Sequence, residues 1–550
     1  MQTTKYILQV GSVVTVKGIL GIQQLVLDIV VFRVGITHLG QAISKGYQLQ
    51  QIFFDRVGFH GKGLDNLKNT FAWTGLDGFY LWNMKIKFGT DGWRALIAKD
   101  FTVDQVARVA QGTAHWLLSM EASPILVLGS DCRFGGRMFA ETVALVMAQN
   151  GVKVLWDTND FVSTPMVSLG TVQHQAHAGV ILTASHNPPS YNGFKIKASY
   201  GGPAIPSMIS QVENLIPDQV PTLEHSVAYW KAQGRIVDVD LFEAYLTEIR
   251  NAFDLEAMQP LSKRLAFDAM YGAGQRVIPA LFPQARTLHC THNPGFAGQA
   301  PEPIARNLGE LSALLASDPS LGLGLAVDGD ADRIGLLNAS GDFVDSHHIL
   351  MLLVAYLAGV QGKKGDVVVS FSVSPRMKRI CQHFGLNLVV TPIGFKYICE
   401  IMTQGGVLVG GEESGGIAID GYIPERDGIW IGLTLMEYMA KSGKTLENLI
   451  DEIYAICEPF CYDRWDLTIE NDHKALVLAN LASGAYTHFG PYTVQRTEST
   501  DGYKCWLNDN DWVMFRASGT EPVLRIYAES NTREETEAIL KAAQSTLYGA

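Results

Sequence analysis

Short apolar runs that end in polar loops, each followed by an amphipathic stretch, recur along this chain. Pro124-Ile-Leu-Val-Leu-Gly129 predicts a strand ending in Ser130-Asp-Cys-Arg133, Phe139 to Gln149 a helix, and Val152-Lys-Val-Leu155 a second strand. Val180-Ile-Leu182 is apolar at every position, as in a strand buried on both faces, and Asn187-Pro-Pro189 cannot prolong it. The same unit returns at Lys263 to Asp268, Gly322 to Val327, Asp366 to Ser370 and Val407-Leu-Val409. Strands alternating with helices predict mixed or parallel sheets covered by helices. Beyond about residue 456 the pattern changes. Trp465-Asp-Leu-Thr-Ile469, Trp512-Val-Met-Phe515 and Leu524-Arg-Ile-Tyr-Ala528 alternate with period two, and Glu534 to Leu547 reads as a closing helix. This predicts a C-terminal antiparallel α+β domain.

With 550 residues, 47% of them hydrophobic, the chain has room for three to five domains. A formal charge of −12 without a basic block excludes a nucleic-acid partner, whose phosphates demand a basic face. The apolar stretch from Val13 to Ile36 does not read as a membrane span, because Lys17, Gln23, Gln24, Asp28 and Arg33 interrupt it. Seven thinly spread cysteines with no Cys-x-x-Cys pair imply reduced thiols and a cytoplasmic location. Cys457-x3-Cys461 lacks a second ligand pair for zinc, which favours packing for both. Residues 1–83 stand apart. They hold seven basic residues, four aspartates and no glutamate, a net +3 that leaves −15 for the remainder. Met84 opens Met-Lys-Ile-Lys-Phe-Gly-Thr-Asp-Gly-Trp-Arg94, and the expectation is that the enzyme starts there, with 1–83 an atypical N-terminal extension outside it.

Four loops carry candidate chemistry. Ser185 follows the strand at Val180–Leu182, so its hydroxyl is presented at a strand's carboxyl end, where open α/β sheets bind ligands. In Asp328-Gly-Asp-Ala-Asp-Arg333 three alternate carboxylates turn the same way in an extended segment and repel one another unless a cation sits among them. An EF-hand is excluded, because counting from Asp328 its glycine falls on Arg333 and its bidentate glutamate on Ala339. An oxygen-ligand site of this kind suits Mg²⁺. In Gly410-Gly-Glu-Glu-Ser-Gly-Gly416 a carboxylate and a hydroxyl two residues apart can hold adjacent sugar hydroxyls. Arg516-Ala-Ser-Gly-Thr-Glu-Pro-Val-Leu-Arg525 offers two guanidinium groups, two hydroxyls and a glycine bend that can wrap a phosphate.

Thr183-Ala-Ser-His-Asn-Pro188 with Asn192-Gly-Phe-Lys195, Asp328 to Arg333, Gly411-Glu-Glu-Ser-Gly415 and Arg516 to Pro522 occur in that order, after Phe88-Gly-Thr-Asp-Gly-Trp-Arg94. Together they resemble the α-D-phosphohexomutases, the phosphoglucomutases and phosphomannomutases, over residues 84–550. The resemblance implies four domains around a central cleft, three similar mixed α/β-sheet domains and the antiparallel fourth. Their expected limits are 84–230 with the phosphoserine loop, 231–342 with the metal loop, 343–455 with the sugar-binding loop and 456–550 with the phosphate-binding loop.

It further implies that Ser185 is the phosphoserine, with His186, Lys195, Arg94 and Arg333 beside the reacting group. Asp328, Asp330, Asp332 and the serine phosphate then bind Mg²⁺. Glu412, Ser414 and Lys396 face the sugar, and Arg516, Ser518, Gly519, Thr520 and Arg525 hold the distal phosphate. The implied partners are hexose phosphates, with glucose 1,6-bisphosphate as intermediate and activator, and a monomer or weak dimer is expected. Glu412-Glu413-Ser414 and Ile423-Pro-Glu-Arg-Asp-Gly428 are closer to the phosphoglucomutase branch, which favours glucose; a phosphomannomutase, a dual enzyme or a phosphoglucosamine mutase are the alternatives. A catalytically dead sugar-phosphate binder and a Mg²⁺-dependent phosphatase are the readings from another class.

Overall fold

The computed structural model describes residues 86–517 and 523–548. The expectation for residues 1–83 lies outside the described residues, as do those for Ser518, Gly519 and Thr520.

Among the described residues four large sheets follow one another, with a two-stranded ribbon of His488–Phe489 and Tyr492–Thr493 beside the last, and three of the four share one topology. In the first, Ile125–Ser130 is flanked in parallel by Lys153–Asp157 and Ala178–Leu182, and the last of these turns back into antiparallel Tyr191–Ala198. In the second, Leu265–Asp268 lies parallel to Arg286–Leu288 and Leu323–Val327, and Leu323–Val327 turns back into Ile334–Leu337. In the third, Asp366–Ser370 lies parallel to Leu388–Thr391 and Val407–Gly411, which turns back into Ile417–Ile419. The repetition predicted from the apolar runs is thus a repetition of strand order, and it holds without matching residues.

The sequence alone did not reveal the final turn of each unit. Three of the four candidate loops are hairpins joining a buried parallel strand to its antiparallel neighbour: 183–190, 328–333 and 412–416. In the fourth domain, the five-stranded antiparallel sheet joins Trp512–Ala517 to Val523–Ser530 across 518–522. A hairpin presents its loop at one sheet edge with both strand ends fixed, so the three described units can aim their loops at one place.

The first sheet ends on Ile236–Val239, parallel to Lys153–Asp157. That strand lies beyond residue 230, where the sequence suggested a new domain, because the polar run 217–235 is a crossover within the first domain and not a linker out of it. The closing helix is Arg533–Tyr548. Among the described residues no helix is long and apolar enough to cross a membrane. All seven cysteines are unpaired, and Cys457 is buried against Met351 as packing requires.

Burial distinguishes the fourth domain from the others. One continuous apolar core takes in Val127 and Ile181 of the first sheet, Phe267 and Leu325 of the second, Val367 and Val409 of the third, and Ile429, Leu433 and Met436 of the helix Gly428–Ser442. The fourth sheet packs on its own core of Val513, Phe515, Leu524, Ile526, Ile539 and Leu540. A small aromatic cluster, Phe371 with Trp506, Trp512 and Tyr527, joins the two. Apolar burial drives the packing, so the first three domains act as one block to which the fourth is attached.

Candidate active site

Ser185 lies in the first hairpin's loop, three residues past the strand end at Leu182, in a left-handed conformation, φ 53°, that a non-glycine residue adopts only when its surroundings impose it. Its N–H donates to Thr183 Oγ1 at 2.9 Å and its carbonyl accepts from Arg133 at 2.5 Å. The side chain is thereby aimed out of the first domain. Ser185 Oγ donates to Asp328 Oδ2 of the second domain at 2.7 Å. Gly329 makes this approach possible, since a Cβ there would lie 2.5 Å from the Ser185 carbonyl oxygen.

Asp328, Asp330 and Asp332 are fully buried and converge, with one oxygen of each within 4.8 Å of the others. They do so by a route other than the expected one. Residues 328–333 form a turn, with Ala331 left-handed at φ 59°, so the bend of the backbone and not the alternation of an extended strand brings the carboxylates together. Burial and the neighbouring Asp330 and Asp332 charges push the Asp328 carboxyl well above the ordinary range. Asp330 goes the other way. Burial opposes its charge, but Lys195 and the hydroxyl of Thr164, 2.5 Å away, outweigh it and hold the group ionised. Asp330 Oδ1 and Asp332 Oδ1 are buried without any hydrogen-bond partner. Two orphaned carboxylate oxygens beside a third carboxylate fit a small, hard, oxygen-seeking dication.

Lys195, at the middle of the return strand Tyr191–Ala198, is buried and reaches three carboxylates: Asp91 at 2.7 Å, Asp330 at 2.8 Å and Asp332 at 2.9 Å. Burial disfavours its charge, yet these three anions hold the ammonium protonated. Asp91 and Asp332 are each also 2.5 Å from Arg426 of the third domain. Beside them Lys197 pairs with Glu425 at 2.6 Å, both fully buried, and Glu425 also accepts from Ser168. Removing any member of such a network leaves a buried charge unpaired, so the network fixes how three domains meet. The backbone confirms the contact: Gly428 N–H donates to the Ala331 carbonyl at 3.0 Å, and a Cβ at Gly428 would collide with the Arg333 carbonyl.

The remaining expected residues divide between this centre and its approaches. Arg94 donates to Asn187 Oδ1 at 2.6 Å, at the rim of the serine loop. His186 Nδ1 is 3.3 Å from Ser185 Oγ, and burial together with Arg333, Arg94, Lys195 and Arg133 keeps its imidazole neutral. Arg333 anchors the aspartate loop through its N–H to Asp328 Oδ1 at 3.0 Å, while its guanidinium lies 3.7 Å from Glu302. Glu412 is buried, and burial pushes its carboxyl up to about 7 against the pull of Arg426, so near neutrality it can both donate and accept. Ser414 is half-buried in the turn that Gly415, φ 89°, closes. Lys396, its ammonium 5.2 Å from the Tyr397 ring centroid, lines a cavity of about 200 Å³ with Thr90, Asp91 and Gly92.

Arg516 and Arg525 face each other directly across the fourth hairpin. Like charges so placed repel unless anions are supplied. Asp501 supplies one at 3.1 Å from Arg516, and Asp466 stands 3.8 Å from Arg525. Asp501 also accepts from Ile393 N–H of the third domain at 2.9 Å, so Arg516 is tied to the turn that leads into the helix Phe395–Met402 bearing Lys396.

Asp91, Arg133, Thr164, Thr183 and Arg426 were missed as functional candidates from sequence. Arg133 stands at a strand's carboxyl end just as Ser185 does, and that rule could have found it. Asp91 and Arg426 lie inside the quoted segments Phe88–Arg94 and Ile423–Gly428, but nothing local marks their roles, because the groups they pair with lie far away in the chain.

Four sequence-family models match in succession: Phosphoglucomutase/phosphomannomutase alpha/beta/alpha domains I, II and III at residues 85–221, 243–341 and 345–457, and the C-terminal domain at 492–544. The chain belongs to the phosphoglucomutase/phosphomannomutase family. Its members are mutases, and this chain is an intramolecular phosphotransferase of that kind. A crystal structure from Thermus thermophilus, assigned by name to the phosphomannomutases, is 32% identical with a TM-score of 0.74, over 84% of this chain and 99% of that one. A Thermococcus kodakarensis relative named "Phosphoglucomutase/phosphomannomutase" is 29% identical over 82% of this chain and 96% of its own length. One from Methanosphaera stadtmanae, named "Probable phosphoglucosamine mutase", is also 29% identical, over 84% and 98%. The family is therefore established, and the names of these relatives span three sugars.

Proposed function

We propose that this phosphohexomutase interconverts glucose 1-phosphate and glucose 6-phosphate through a phosphoserine at Ser185 and a glucose 1,6-bisphosphate intermediate. The observation that carries the reading is the 2.7 Å bond from Ser185 Oγ to Asp328, which puts a loop hydroxyl of the first domain against the carboxylate cluster of the second. In the forward step the sugar 6-hydroxyl bonds to phosphorus as the bond to Ser185 Oγ breaks. The hydroxyl's proton passes to the departing serine oxygen, with the neutral His186 imidazole, 3.3 Å from Oγ, the carrier in reach. Lys195 and Arg333 offset charge on the moving group. Asp328, Asp330 and Asp332 would hold Mg²⁺, which supplies the remaining charge neutralisation when bound. Arg516 and Arg525 grip the phosphate that is not reacting, and after the bisphosphate turns over the second transfer regenerates the phosphoserine.

Glucose is favoured by the sugar loop. Glu413 stands between Glu412 and Ser414, and Gly416 follows two residues after the serine, as in the phosphoglucomutase form of this loop. Comparing kcat/KM for glucose 1-phosphate, mannose 1-phosphate and glucosamine 1-phosphate, with the bisphosphate present, tests the choice. Glucose 1-phosphate should lead by at least about tenfold, the size of discrimination that one or two sugar contacts give; a lead for either other sugar overturns the preference. Release of inorganic phosphate in place of the isomer would make the protein a phosphatase.

The fourth-domain arginines read phosphate and not sugar. Arg525→Ala should therefore weaken kcat/KM for glucose 1-phosphate and mannose 1-phosphate alike, by roughly 1.5–3 kcal/mol each, the worth of one charge-assisted contact. A loss confined to one sugar would move this loop to the sugar-reading role.

A further inference from the structure

Arg133 is not among the residues that face the reacting groups, yet it holds the serine loop from behind. Its guanidinium is buried and collects four backbone carbonyls of a single hairpin. Nη2 donates to Ser185 O at 2.5 Å and Asn187 O at 2.6 Å, and Nη1 donates to Pro188 O at 2.9 Å and Tyr191 O at 3.0 Å. Nε faces Asp131 Oδ2 at 3.3 Å. Asp131 in turn accepts from Thr183 Oγ1 at 2.5 Å and from the Arg133 N–H at 2.9 Å. Thr183 Oγ1 then accepts the Ser185 N–H at 2.9 Å. The contacts close a ring: the N–H of Ser185 is held through Thr183 and Asp131, its C=O through Arg133, and both ends of the ring start from the strand end at Ser130–Arg133.

The left-handed φ of Ser185 is unfavourable for a residue with a Cβ, and a loop free to relax would move Oγ away from Asp328. The demand on the loop also changes during the reaction, because phosphorylation adds close to two negative charges at Oγ. We propose that Arg133 is a positioning residue for phosphoryl transfer, which fixes the backbone on both sides of Ser185 so that Oγ keeps its aim in the free and phosphorylated states. The proposal rests on Ser185 being the phosphoryl carrier. A planar fork with five donors can span four carbonyls, whereas an ammonium has three donors on one atom and cannot.

The geometry distinguishes this role from a charge that binds phosphate. Arg133→Lys keeps the charge and loses the fork. Arg133→Lys and Arg133→Met should both lower kcat by about 10²-fold, the cost of misplacing a reacting atom by about 1 Å, with KM for the hexose phosphate within about twofold. Single-turnover uptake of phosphate onto Ser185 from glucose 1,6-bisphosphate should slow by the same factor. A folded Arg133→Lys protein with kcat within threefold of wild type overturns the proposal, as does a deficit that appears in KM instead. Should neither variant fold, Thr183→Val cuts the same ring at one hydroxyl; a fall in kcat of at least tenfold supports the role and an unchanged kcat overturns it. Ser185→Ala in the same assay keeps the two readings separate: turnover in that variant defeats the phosphoserine, whereas an inactive Ser185→Ala beside a fully active Arg133→Lys defeats only the positioning role.

Discussion

Ser185→Ala should yield a folded protein whose mutase turnover is lower by at least four orders of magnitude, that is, roughly to the background of the assay. The hydroxyl is the atom that carries the phosphoryl group, and no other hydroxyl among the described residues bonds to the carboxylate cluster from a comparable position: Thr164 Oγ1 bonds Asp330 but belongs to a buried helix start. The effect on stability is small by comparison. Losing Oγ leaves Asp328 Oδ2 without its donor, a cost of about 1–3 kcal/mol for a buried acceptor, and part of that is recovered because burial already drives the Asp328 carboxyl toward its neutral form. The checks are a coupled assay in both directions, phosphopeptide mass analysis after exposure to the bisphosphate, and a melting curve. Turnover near that of wild type in a variant that melts normally would sink the phosphoserine assignment.

The second large effect belongs to the three aspartates. Chelation followed by dialysis should silence the protein, Mg²⁺ should restore it, and Asp330→Asn should lower kcat by at least about 10²-fold with no recovery on added Mg²⁺. The reason is electrostatic. Three buried carboxylates, two of them with an oxygen that meets no donor, repel an incoming phosphate; Lys195 offsets only part of that charge. A readout independent of activity follows from linkage. An ion that binds only the folded state raises its stability, so Mg²⁺ should raise the melting temperature of the wild type in a concentration-dependent way and that of Asp330→Asn far less. Full activity after thorough chelation, or an equal thermal shift in both proteins, would count against a metal at this loop.

Local patterning in the sequence determined a good deal. The period-two and continuous apolar runs located the strands, since burial on one or both faces is written directly into side-chain polarity. The loops were legible for the same reason: Ser185, the aspartates and Glu412 each follow a buried strand, the two arginines lie within the strands that flank the fourth loop, and short-range turn chemistry marks where such strands stop. The change to period-two alternation also separated the antiparallel fourth domain from the other three. None of this required knowing which segments touch.

Contacts between distant segments were decided only by the tertiary structure. The alternation of Asp328, Asp330 and Asp332 suggested an extended segment, but a left-handed Ala331 turns the chain and makes the carboxylates converge, a conformation imposed by packing against Gly428 and the Ser185 carbonyl. Asp91 and Arg426 are 335 positions apart and meet at 2.5 Å around Asp332 and Lys195. No local propensity encodes that pairing, because the free energy that buries those charges comes from the shared apolar core of the first three domains. Arg133 shows the limit most plainly. In sequence it is one polar residue at the end of a strand; its function lies in four carbonyl groups, which carry no side-chain identity and become a binding site only once the hairpin has folded around it.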